Sequence, residues 1–211
     1  MNGYMKPQDI EKRSFEIITA ELGERTFPAG IAEVVKRVIH TTADFDYADS
    51  LAFSPDVIEK AKAALAAGAT VVTDTNMALS GVSKVTLAKL GGKAVCLMAD
   101  EQVASEAKAR GVTRAVVSME HAAKFEGPLL FAIGNAPTAL IRLHELIEKG
   151  AVAPALVIGV PVGFVNVVEA KELFIGGDTP YIIARGRKGG SNVAASIVNA
   201  LLYQLVHREG F

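Results

Sequence analysis

The chain reads as a single α/β domain over residues 1–211, built on a mainly parallel sheet of five strands. Two observations predict this. From residue 69 onward, short apolar runs alternate with helical patterns. Half of the residues are hydrophobic and only 21% are charged. Runs that stay apolar throughout belong to strands buried on both faces, and strand–helix alternation is how a chain connects parallel neighbours. The same richness in apolar residues suits a substantial subunit interface.

Taken in order, Lys6-Pro7-Gln8-Asp9 opens a helix that runs to about Leu22, with Ile10, Phe15, Ile17, Ile18 and Leu22 apolar. Arg13 and Ser14 interrupt that pattern side by side. Gly23 stops the helix, and Pro28-Ala29-Gly30 starts a second one that carries Val34, Val35 and Val38 to His40. Asp44 to Phe53 reads as extended, an edge strand at most. Ser54-Pro55 then supplies an N-cap and a first-turn proline for a helix through Val57, Ile58, Ala61 and Leu65 to Gly68.

The strands follow from β-branched and apolar runs bounded by breakers: Ala69 to Thr73, Lys93 to Met98, Leu129 to Ile133, Ala155 to Val160, and Tyr181 to Arg185. Between them lie helices at about Asp100 to Arg110, Thr113 to Lys124, Pro137 to Glu148 and Asn166 to Phe174. A closing helix runs from Gly190 to His207. There is no internal repeat, linker or low-complexity tract.

Composition excludes several functions. A net charge of −1 and the absence of tryptophan speak against nucleic acid and anionic membrane surfaces as partners. The N-terminus, Met1-Asn2-Gly3-Tyr4, lacks a charged-then-apolar leader, and no apolar run reaches membrane-spanning length, so a cytoplasmic protein is expected. The single cysteine, Cys96, sits in an apolar run and reads as a packed side chain. The four histidines are scattered, without metal-ligand spacing. No Gly-x-Gly-x-x-Gly follows the first strand, no phosphate loop is present, and no serine occupies a nucleophile elbow. No cofactor or metal is expected.

In open parallel sheets ligands bind beyond the carboxyl ends of the strands. Four of those ends are chemically marked: Asp74-Thr75-Asn76-Met77, Gly134-Asn135-Ala136-Pro137-Thr138, Pro161-Val162-Gly163-Phe164, and Arg185-Gly186-Arg187-Lys188-Gly189-Gly190-Ser191. Glycines and helix N-termini there offer backbone amides, and three cations stand in the last segment. The expected ligand is an anion with several carboxylates or phosphates. As purely structural roles, Asn135 and Ser191 would be N-caps and the basic run a solvated loop. Elsewhere, Arg37 and His40 stand three apart on one helix face, followed by Thr41, Thr42 and Asp44. Among the histidines, only His40 has such polar company, which makes it the candidate acid–base group. Its structural alternative is a helix-terminal histidine bonded to the last carbonyls. His144 shares its helix side with Leu140, Leu143 and Ile147 and reads as a packing residue.

Five segments, in this order, resemble the precorrin-8X methylmutase family, including its cobalt-precorrin-8 counterpart. They are Ser14-Phe15-Glu16-Ile17-Ile18, Arg37-Val38-Ile39-His40-Thr41-Thr42, Ile133 to Leu140, Gly159 to Val165, and Gly186 to Ser191. The resemblance covers nearly the whole chain. Where the family pattern has Glu-Ser-Lys after the fourth strand, this chain has Glu169-Ala170-Lys171. The resemblance implies a flavodoxin-like three-layer sandwich and a homodimer with active sites at the interface. It also implies a methyl shift from ring carbon 11 to carbon 12 of a corrinoid precursor, giving hydrogenobyrinate or cobyrinate. By position in the motifs, His40 corresponds to the catalytic histidine and Ser14 and Arg37 to substrate contacts. Arg187, Lys188 and the amides around Asn135 and Ser191 would hold the acetate and propionate groups of the macrocycle. Thr41 or Thr42 would fix the imidazole tautomer. Two other classes compete: a non-catalytic corrinoid carrier, and a flavin-binding electron-transfer module.

Overall fold

The structure is a computed structural model that describes residues 7–206. Met1–Lys6, and His207 at the expected end of the closing helix, lie outside the described residues. In chain order come α1 (Pro7–Leu22), α2 (Ile31–Thr42), α3 (Tyr47–Ser50), β1 (Leu51–Phe53), α4 (Val57–Ala66) and β2 (Thr70–Thr73). Next are α5 (Asn76–Gly81), α6 (Lys84–Lys89), β3 (Lys93–Cys96), α7 (Glu101–Arg110), α8 (Arg114–Ala122) and β4 (Leu129–Ile133). The chain continues with α9 (Pro137–Glu148), β5 (Leu156–Gly159), α10 (Val167–Glu172), β6 (Tyr181–Ala184) and α11 (Ser191–Leu205).

These strands form one sheet in the order β1-β6-β5-β4-β2-β3, parallel except where β1 pairs antiparallel with β6. The sheet therefore has six strands, not the expected five. The sixth comes from the stretch between Asp44 and Phe53, which is mostly a turn and the four-residue α3, with only three residues in the sheet. So short a strand is defined by its distant partner β6, with Leu51 opposite Ala184 and Phe53 opposite Ile182, which no local periodicity records. The strand runs expected from 69 to 73, 93 to 98, 129 to 133, 155 to 160 and 181 to 185 all carry strands; 129 to 133 keeps its bounds and the others are shorter by one or two residues.

Alternation along the strands divides the core. Val71, Leu130, Ala132, Leu156, Ile158, Ile182 and Ala184 face a layer made by α2, α4 and α11. Val72, Leu129, Phe131, Ile133, Val157, Tyr181 and Ile183 face α8, α9 and Phe174. Both sheet faces are thus covered, as continuous apolar strands require. Each valine, leucine, isoleucine or phenylalanine among them contributes about 1.5–3 kcal/mol on burial.

Capping follows the sequence in part. Asp100 accepts from the amides of Gln102 and Val103, and Thr113 from that of Val116, which starts α7 and α8. Neither Asn135 nor Ser191 is an N-cap: Ala136 and Gly190 hold those positions without side-chain bonds. At Gly189 a Cβ would stand 2.1 Å from the Val160 carbonyl oxygen, so only glycine lets the segment after β6 lie against the end of β5.

Candidate active site

The second helix runs two residues past His40, through Thr42, and ends on Ala43 in the left-handed conformation, whose N–H bonds the Ile39 carbonyl. Val34, Val35, Val38 and Ile39 bury one face of α2 against α11 and the sheet. That burial turns Arg37 and His40 outward together, toward α1. The Phe15 ring of α1 receives both. It stacks on His40 with centroids 5.2 Å apart and planes 20° apart, and the Arg37 guanidinium lies 4.7 Å from its centre. The same guanidinium stands 5.2 Å from the Tyr203 ring of α11 and donates to Glu11 at 2.5 Å. With both partners only 19% exposed, this ion pair and its two aromatic walls hold the guanidinium in one place.

Between these elements opens a cleft of about 570 Å³. Glu11 and Ile10 of α1, Arg37, His40 and Thr41 of α2, and Gly81 at the end of α5 line part of it. The rest comes from one face of α11, where Ala195 interrupts a polar stripe from Asn192 through Ser196 and Asn199 to Tyr203. His40 is exposed into this space. Asn199 ties its floor together: its amide donates to the Gly81 carbonyl and its oxygen accepts from the Ser83 amide, each at 2.8 Å. Among the described residues, neither Thr41 nor Thr42 is hydrogen-bonded to the imidazole. Their hydroxyls donate to the Arg37 and Val38 carbonyls of their own helix, so neither fixes the His40 tautomer. Ser14 does the same with the Ile10 carbonyl, one turn from the cleft-lining Ile10 and Glu11.

A second zone lies at the carboxyl edge of the sheet. Asp74, fully buried after β2, accepts from the amides of Gly134 at 2.9 Å, Asn135 at 2.8 Å and Ala136 at 2.7 Å. Burial pushes its carboxyl above the ordinary value, and the three N–H bonds offset part of that. The amides around Asn135, expected to receive a ligand, are therefore engaged by an internal carboxylate. Ser191 is buried and its hydroxyl is 2.8 Å from that of Thr75. It joins the start of α11 to Thr75, the N-cap of α5.

The cationic segment after β6 is also redistributed. Arg185 is held by both oxygens of Glu172. Lys188 donates to Asp44 at 2.5 Å and Asp46 at 2.6 Å, and these carboxylates hold its ammonium above the ordinary lysine value. Lys188, expected as a carboxylate holder, ties this segment to the turn that follows α2. The antiparallel pairing of β1 with β6 brings those segments side by side, a proximity with no signal in sequence. Arg187 is the exception among the three cations: it has no carboxylate partner among the described residues and lies 5.4 Å over the exposed Phe164 ring.

Glu11, Phe15, Tyr203 and the Asn192–Asn199 stripe had no assigned role in the sequence reading. The stripe was discoverable: polar residues at 192, 196, 199 and 203 recur at helical spacing on an otherwise apolar helix. The contact of Phe15 with His40 joins two separate helices and leaves no such trace. His121 pairs with Glu106, and His144 packs edge-on against Phe174, both away from the cleft. Among the described residues, no three histidine, cysteine, aspartate or glutamate side chains group as a metal-ligand set, and no helix is long and apolar enough to cross a membrane.

The fold and cleft define an α/β protein that presents an imidazole and a braced guanidinium to one open polar site, the equipment of an acid–base catalyst. A family model described as precorrin-8X methylmutase matches residues 9–204, and the chain belongs to that family. It is 46% identical to the cobalt-precorrin-8 methylmutase of Salmonella typhimurium, over 97% of this chain and 99% of that one. It is 40% identical to the precorrin-8X methylmutase of Pseudomonas aeruginosa, over 92% and 94%. The solved structure of the precorrin-8X methylmutase from Thermus thermophilus superposes with a TM-score of 0.86 at 39% identity, covering 92% of this chain and 94% of that one. Membership makes the chain a methyl-transferring isomerase of cobalamin biosynthesis.

Proposed function

We propose that the chain moves a methyl group from ring carbon 11 to carbon 12 of precorrin-8 or its cobalt complex, with His40 as the acid–base group. One observation carries this: the His40 imidazole faces a cleft of about 570 Å³ while its ring is held flat against Phe15 beside Arg37. An imidazolium there donates a proton, or a strong hydrogen bond, to an atom of ring C. That draws electron density from the conjugated system. The methyl group then migrates with its bonding pair to the neighbouring carbon, and the proton returns to the imidazole. Nothing is oxidised or reduced, and no external methyl donor is consumed. Cobalt, where present, belongs to the substrate. Proton transfer of this kind contributes about 10²–10⁴-fold, and holding the ring in one geometry supplies much of the rest.

Arg37, fixed by Glu11, Phe15 and Tyr203, is the positioned cation inside the cleft, with Ser14 and Thr41 on the flanking helices. Arg187 is the cation left to meet a peripheral carboxylate. The exposed apolar side chains Met77, Val85, Phe164 and Val165 support a homodimer. The site would then lie where the two copies meet. The five parallel strands, counted from β2, follow the order 2-1-3-4-5, which supports the flavodoxin-like reading. A cytoplasmic location and the absence of nucleic-acid partners belong to the same proposal.

The test is absorption spectroscopy of the purified protein with metal-free and cobalt-bearing precorrin-8. Wild type should convert at least one of them to the rearranged chromophore. His40→Ala should bind the product within a few-fold of wild type and lose conversion by at least about a hundredfold. Full conversion by His40→Ala would remove the imidazole from the chemistry. A wild type that binds both corrinoids and converts neither would make the chain a carrier. Sedimentation of Phe164→Glu against wild type tests the dimer, which the charge should dissociate.

A further inference from the structure

The side chain of Lys171 is completely buried on the six-residue helix α10, yet no carboxylate among the described residues pairs with it. Lysine is almost never found in that state unless paired, because taking an ammonium out of water is costly. Its partners are two backbone carbonyls, those of Gly186 and Lys188, each at 2.8 Å. They flank Arg187. The carbonyl between them, that of Arg187 itself, accepts from the Gly163 amide at 3.2 Å. Three successive carbonyls thus each accept a hydrogen bond. Gly186 has a φ of +78° and open space where a Cβ would lie, so glycine is there for its backbone conformation and not for room. Burial drags the Lys171 ammonium down to about 8, a cost with no compensating ion pair.

We propose that Lys171 is a positioning residue. Its buried ammonium fixes the backbone on both sides of Arg187 and so sets where that guanidinium meets a carboxylate of the substrate. The inference rests on the reading of Arg187 as a substrate-holding cation. Lys171 itself touches no substrate. The same anchoring reaches the other side of the site, because Lys188 continues from this segment to Asp44 and Asp46, just beyond the helix that carries His40. An aliphatic side chain at 171 would fill the space and leave two carbonyls without a donor, freeing the segment without removing any charged group from the ligand's reach.

The test is a double-mutant cycle on product affinity and on turnover, using Lys171→Met, Arg187→Ala and the double variant in the full chain. Arg187→Ala should weaken product binding about tenfold, the effect of losing one charge-assisted contact. Lys171→Met should weaken it to a similar extent, with kcat at saturating substrate within about threefold of wild type. The double variant should bind no worse than the weaker single variant. Lys171→Arg, which keeps the charge and the donors, should recover most of the affinity. If Lys171→Met does not fold, Lys171→Gln, with one amide able to reach one carbonyl, takes its place in the cycle. Multiplying losses in the double variant, or wild-type affinity in Lys171→Met beside a weakened Arg187→Ala, would overturn the positioning role and leave Arg187 as a substrate contact. Unchanged affinity in Arg187→Ala would instead overturn the reading of Arg187, and the inference with it.

Discussion

Replacing Asp74 with alanine asks what holds the turn between β4 and α9 against the rest of the sheet edge. The carboxylate accepts three backbone N–H groups, and alanine accepts none. Gly134 is buried, so its amide would find no water, at a cost of about 1–3 kcal/mol. The amides of Asn135 and Ala136 are part-buried and reach solvent more easily, at about 0.5–1 kcal/mol each. Removing a carboxylate whose ionised form is disfavoured by burial returns some of this. The balance is a loss of about 2–3 kcal/mol. For a chain of this length that lowers Tm by about 5–10 °C. Thermal and urea unfolding of the two proteins read it directly. Asp74→Asn keeps one acceptor oxygen and should recover roughly half. An alanine variant melting within about 2 °C of wild type would refute the reasoning, because the three bonds would then be worth nothing net. An asparagine variant no better than alanine would refute the assignment of the effect to the number of accepting oxygens.

Other outcomes follow from the same geometry. Gly189→Ala places a Cβ 2.1 Å from the Val160 carbonyl oxygen, so it should yield little folded protein, measured as soluble yield and by circular dichroism. Arg185→Gln should leave product affinity within about twofold of wild type in a spectroscopic titration, since Glu172 already holds both sides of that guanidinium and a charge-assisted contact to the ligand would have cost far more. Lys171 makes stability depend on pH. Its folded value of about 8 lies below the ordinary 10.5, so the unfolded chain binds the proton more tightly. Below pH 8 both states are protonated and the burial cost is present in full. As pH rises from 8 toward 10.5 the folded state releases its proton first, and wild type should gain up to about 3 kcal/mol relative to Lys171→Met. Urea unfolding of both proteins at pH 7.5 and 10 measures this, and a flat or inverted difference would contradict the burial of the charge.

Much of the architecture was legible because parallel strands announce themselves. Val71-Val72, Leu129 to Ile133 and Leu156 to Ile158 are apolar without interruption, and only a sheet covered on both faces asks for that. The shared face of Arg37 and His40 was equally readable, since helical spacing alone sets it. What escaped was everything decided by pairs distant in sequence. The three residues of β1 carry no period of their own. The basic segment from Arg185 to Lys188 looked like a set of free cations, yet Glu172, Asp44 and Asp46 neutralise two of the three. The amides after β4 looked open, yet Asp74 lies beneath them. The burial of Lys171 becomes visible only once the segment after β6 folds over it.

The short antiparallel strand at the sheet edge also governs where the chain can tolerate insertions. Hydrogen bonds bracket it at both ends, from the Arg185 amide to the Ser50 carbonyl and from the Ser54 amide to the Tyr181 carbonyl. Leu51 and Phe53 pack on one side of the sheet and Ala52 on the other. A single residue added between Ala43 and Leu51 would have to be absorbed in a tight turn or would slide the strand by one, exchanging those two sides. Segment length there is coupled to the spacing between two loops at the carboxyl edge of the sheet. The turn around Gly150, with open space beside it, has no such duty and should accept an inserted residue more readily.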